Sequence, residues 1–189
     1  MARIHQAILI GATILGSWLG MQAVHESGHI LGAWISGGRV AKVVLNPLTI
    51  SRTDIAYNPN PLFVVWAGPI GGVLIPLLLW GLAAGMRFPG AFVLRFFAGF
   101  CLIANGLYIG VGSFDSIGDC GEMLRHGSSM WQLWLFGLVT VPTGFLLLHR
   151  LGSHFGLGPT KKHVRPMEAY LAFLASVLLA IAGLAIDGW

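Results

Sequence analysis

Residues 7–38 read AILIGATILGSWLGMQAVHESGHILGAWISGG, an apolar run broken by a single formal charge, Glu26. About 20 mostly apolar residues suffice to cross a bilayer as a helix. This run is longer, so it predicts an uncleaved first membrane span rather than the short apolar core of a signal peptide. A carboxylate inside such a run costs about 2.5–3.5 kcal/mol on insertion scales and normally marks function. Glu26 sits within His25-Glu26-Ser27-Gly28-His29. Residues four apart share a helix face, so His25 and His29 can present both imidazoles to one metal ion. Glu26 lies beside them, where a carboxylate can take a proton from water activated by the metal. A chain with this content of His and Glu assembles the pattern by chance in roughly four cases per thousand.

The remainder of the chain repeats the apolar character. Of 189 residues, 56% are apolar and 10% charged, against about 25% charged in a soluble domain, and mean hydropathy is +0.78. A chain this poor in charge has too little polar surface to face water on all sides. Uncharged stretches recur at 55–86, 96–114, 126–149 and 169–186. Together with the first they predict an all-α, multi-pass integral membrane protein of about five transmembrane helices, folded as one domain over 1–189. The main polar connection, 37–61, carries Arg39, Lys42, Arg52 and Asp54. Alternation at 40–45 and again at 49–53 predicts a short β-hairpin or extended flap between the first two helices.

The net charge of +4 is scattered between the apolar runs, which fits contact with membrane lipid and gives no basic stripe for nucleic acid. Cys101 and Cys120 lie too far apart for a zinc ribbon and form no disulfide framework. The run Ala67-Gly68-Pro69-Ile70-Gly71-Gly72 has two readings, close helix packing or a surface facing substrate.

A catalytic zinc site has three protein ligands and one open position, so two histidines require a third donor from elsewhere. Seven carboxylates exist: Glu26, Asp54, Asp115, Asp119, Glu122, Glu168 and Asp187. Asp115, Asp119 and Glu122 cluster after the third span, and glycines around Asp119 favour a bent backbone able to aim it inward. Asp119 is the expected ligand and Asp115 the reserve. Glu122 with Arg125 reads as a surface pair at a helix start.

These residues together resemble the site-2 protease family of intramembrane zinc metalloproteases. The resemblance rests on HESGH at 25–29, on Ala67-Gly68-Pro69 in the next span, and on Asn105 followed by Asp119. It covers roughly residues 20–125, so a catalytic core of about 5–125 is expected, with additional helices at about 130–187. The pattern is divergent: Asn105 precedes Asp119 by fourteen positions with no proline between, and Cys120 follows the aspartate directly. The resemblance implies Zn2+ held by His25, His29 and Asp119, with Glu26 activating water. It also implies that Asn105 bonds the substrate carbonyl or oxyanion, an interhelical hydrogen bond being its other reading. The substrate would be a transmembrane protein or peptide. A membrane metal-binding or transport protein that keeps the fold without proteolysis is the alternative.

Overall fold

The computed structural model describes residues 2–159 and 163–186. Helix α1 (Ala2–Ile35) is followed by strands β1 (Arg39–Val44) and β2 (Arg52–Tyr57), then by α2 (Pro61–Gly85) and α3 (Ala91–Gly110). A 3-10 turn (Gly112–Phe114) leads to a short α4 (Asp119–Arg125), followed by α5 (Met130–Leu148) and α6 (Pro166–Ile186). Among the described residues, five helices (all but α4) are long and apolar enough to cross a membrane. With 34 residues, α1 is about 51 Å long, well over a hydrocarbon core of about 30 Å.

Of the boundaries that differ from the uncharged stretches, two have an identifiable cause. Helix α2 starts at Pro61 rather than near residue 55, because Ile55–Tyr57 are taken into β2. Its start is set by Asn60, whose Oδ1 accepts the Phe63 amide at 3.3 Å, and by Pro61, whose missing N–H is no loss in a first turn. Helix α3 begins before Arg95, a residue that a search for uncharged runs leaves out. The Arg95 guanidinium donates through Nη2 to the His149 carbonyl at the end of α5, 3.2 Å away.

The predicted hairpin is a two-stranded antiparallel sheet with Val43 opposite Thr53 and Val40 opposite Ile55. Its second strand starts three residues later than the alternation suggests. Residues 46–49 are spent on a turn, in which Asn46 accepts from the Leu48 amide through Oδ1 (3.0 Å) and from the Thr49 amide through its carbonyl (3.1 Å).

Helices in lipid gain little from burying apolar surface against one another, so close backbone approach carries their association. The small residues are placed accordingly. A Cβ at Gly28 would overlap the Ala67 carbonyl, and one at Gly71 would sit 2.8 Å from the Gly28 Cα. The glycine run of α2 is thus a crossing point for α1, the first of its two readings. Helices α3 and α5 meet in the same way, a Cβ at Gly137 lying 2.8 Å from the Gly106 carbonyl. Helix α6 packs on α1, with Ser176 against Gly16, and its Gly183 receives the Leu45 carbonyl from the hairpin. Val65, Ile109, Met123 and Leu133 form a buried apolar cluster with Cys120 that fastens α4 to α2, α3 and α5. That cluster fixes where Asp119 can point.

Adding one methyl at the α3–α5 contact, Gly137→Ala, should lower stability by about 1–3 kcal/mol through overpacking. Thermal unfolding in detergent measures the loss.

Candidate metal centre

Among the described residues, His25, His29 and Asp119 form the one group of three metal-capable side chains. Their donor atoms converge: His25 Nε2 lies 3.2 Å from His29 Nε2, and Asp119 Oδ2 lies 2.8 Å from the first and 3.3 Å from the second. Both histidines are buried. Zinc bonds of about 2.0–2.1 Å in a tetrahedron hold ligand atoms about 3.3 Å apart. Two of the three separations match that value, and the third is at hydrogen-bond length.

The tautomers are set from behind. His25 Nδ1–H donates to Asn105 Oδ1 at 2.7 Å, and His29 Nδ1–H donates to the Val64 carbonyl at 2.9 Å. With both Nδ1 atoms committed as donors, each Nε2 turns a lone pair toward Asp119 and toward the other ring. Asn105 cannot be turned around, since its Nδ2 donates to the Cys101 carbonyl at 2.9 Å. Both ends of its carboxamide are therefore used. This is the interhelical reading of Asn105, which sets its oxygen behind His25; the second Nδ2 hydrogen is not used by these two bonds, and the residue also lines the cleft.

Room for the second imidazole comes from α2. A Cβ at Gly68 would overlap the His29 ring, and one at Gly72 would lie 2.7 Å from Asn105 Oδ1. The Ala-Gly-Pro element thus acts through what it omits.

Asp119 is aimed by three neighbours. Gly118 turns the chain at φ +61 and ψ −137, a combination closed to other residues. The Asp119 amide, the first of α4, donates to the Tyr108 hydroxyl at 3.1 Å, and the Cys120 thiol donates to the Tyr108 carbonyl at 3.2 Å. Burial disfavours the charged carboxyl, but where Nε2 of either ring carries a proton its hydrogen bond outweighs burial and holds Asp119 well below the usual carboxylate range. Burial, and then the Asp119 charge, push the Cys120 thiol up to about 11, so it is a neutral donor turned to the Tyr108 carbonyl and is not one of the three converging side chains. Asp115 is exposed beyond the 3-10 turn and takes no part. Glu122 pairs with Arg125 and, at 3.3 Å, with His126, while Asp187 lies outside the described residues.

Glu26 is 3% exposed, and its Oε2 accepts a hydrogen bond from the Thr53 hydroxyl at 2.8 Å. It faces, with all three convergent residues, a cleft of about 940 Å³ roofed by residues 49–55, a volume suited to a bound ligand. Sequence reasoning missed Tyr108 and Thr53. Tyr108 had a readable signal, since it stands three positions after Asn105 on the same helix face. Thr53 had none, because only the fold brings β2 over α1.

Gly68→Ala should displace the His29 imidazole and reduce zinc binding at least tenfold, whereas Gly81→Ala, where nothing lies within 4 Å of a Cβ, should leave it unchanged. Tyr108→Phe should weaken zinc by about 10–100-fold through the loosened Asp119. Metal analysis of the purified proteins against a chelator series reads both. No protein-family model matches this chain, and no curated protein or solved structure is significantly similar to it.

Proposed function

We propose that the protein is an intramembrane zinc metalloprotease of the site-2 protease type, hydrolysing peptide bonds of membrane-embedded substrates. The observation that carries this reading is the convergence of two imidazole lone pairs and one carboxylate beside a buried Glu26 that is free of the cluster. A purely structural zinc site closes its fourth position with another ligand and has no use for a proton acceptor. Zinc held by these three donors would keep one position for water, and the Glu26 carboxylate lines the same cleft as the three side chains.

Zinc bound there would supply a Lewis acid and lower the pKa of water to near 7. The chain's own residues do the rest. Asn105 and the Val64 carbonyl fix the tautomer and orientation of both imidazoles, and Tyr108 with Gly118 holds the Asp119 carboxylate in place. Glu26 takes the proton from the attacking water and returns it to the leaving amine. Thr53 fixes one Glu26 oxygen and leaves the other for that transfer. Strand β2 has a single neighbour in the sheet and lines the cleft from Arg52 to Ile55, so an extended peptide could add along it as a further strand. A peptide bond in a helix is already hydrogen-bonded and must be unwound first. Substrates should therefore carry Gly or Pro near the cut.

Glu26→Gln should keep zinc and lose activity by about 10²- to 10⁴-fold, whereas His25→Ala and Asp119→Ala should lose the metal and Asp115→Ala should lose neither. The assay is zinc content alongside cleavage of a reconstituted single-span peptide containing Gly-Pro, with an all-Leu span as the uncleaved control. Undiminished function in Glu26→Gln would instead favour a metal-binding or transport protein.

A further inference from the structure

One buried polar group in the cleft is not used by the mechanism above. Gln22 precedes His25 by three positions, Glu26 by four and His29 by seven, so all four lie on one stripe of α1. It is 7% exposed and lines the same cleft, between Trp18 and Met21 on its own helix and Ala104 on α3. Its Oε1 has no hydrogen-bond donor among the described residues and no exposed surface, so it meets a ligand in the cleft when the carboxamide turns about its last torsion, a soft two-fold rotation. Buried amide carbonyls are almost always paired, and one left unpaired asks for an explanation. In an apolar span the demand is sharper, because lipid offers no donor.

We infer that Gln22 is a substrate-binding residue, whose carboxamide oxygen accepts a main-chain N–H of the unwound peptide two residues from the scissile bond. This rests on the proteolytic reading of the site. The register follows from the helix: four residues of α1 separate Gln22 from Glu26 by about 6 Å, and an extended peptide covers that in about two residues. Unwinding a substrate helix frees N–H groups that have no partner in the bilayer. A carboxamide that lacks a donor, one turn below the proton acceptor, meets that need. Hairpin and glutamine then hold the peptide from different walls, β2 through its strand edge and α1 through a single acceptor.

The test uses full-length, zinc-loaded protein in nanodiscs and two probes. Acetohydroxamate chelates zinc without reaching Gln22, and an N-acetylated tetrapeptide hydroxamate reaches along the cleft. Each peptide N–H is replaced in turn by an ester oxygen, which deletes the donor and keeps the shape. In the wild type, the replacement two residues from the hydroxamate should weaken binding about tenfold, the usual scale of one such hydrogen bond. In Gln22→Met the same replacement should make no difference, while acetohydroxamate binds both proteins equally. Gln22→Glu, which keeps an acceptor at the same reach, should retain the dependence on that N–H.

Equal losses in wild type and Gln22→Met, no loss at that position, or loss of the dependence in Gln22→Glu would each overturn the assignment while leaving the metal centre standing. Failure of acetohydroxamate to bind zinc-loaded wild type would overturn the metal centre itself, and the role of Gln22 with it.

Discussion

Two imidazole nitrogens facing each other at 3.2 Å, each with its hydrogen bonded on the far side of the ring, repel. A carboxylate oxygen pressed against both adds negative charge at the same point. Such an arrangement is relieved by a positive charge at its centre, a proton or a metal ion, and by nothing else the chain offers. Most of the surrounding structure can be understood as what holds the three atoms together: Asn105 and the Val64 carbonyl behind the rings, Tyr108 and the Gly118 turn behind the aspartate. The buried cluster under α4 keeps that last group from drifting away.

The same convergence explains where the side chains are missing. Histidine is bulky, and α2 must pass close to α1 for the Val64 carbonyl to reach a ring nitrogen. Gly28, Gly68 and Gly71 give up their side chains at that crossing, and any Cβ there would displace backbone or imidazole. In water, apolar contacts would compensate a looser fit. In lipid they do so far less, and surface complementarity between the helices becomes the main source of cohesion.

How much of this could be read from residues alone depends on the range of the interaction. Span number and the hairpin follow from local composition and alternation, and the structure agrees with both. The differences, at Ile55–Tyr57 and at Arg95, arise where a strand or a carbonyl on another helix decides a local question. The His25–His29 pair is local too, being one helical turn. Asp119 was reachable by counting carboxylates, because so few exist. Asn105 was singled out with two roles open, and only the folded chain shows its Oδ1 bonded across to His25. Thr53 and Gln22 were not legible. A hydroxyl in a strand and an amide in a span become informative only when the tertiary structure shows what they face, or that they face nothing.

The hairpin is tied down at two places, to α1 through Thr53 and Glu26, and to α6 where the Leu45 carbonyl rests on Gly183. The final helix contributes no side chain to the metal centre, yet it is the abutment on which the cleft's cover leans. The molecule therefore does not divide into a working half and a dispensable half. Helix α6 belongs to the mechanics of the first sixty residues.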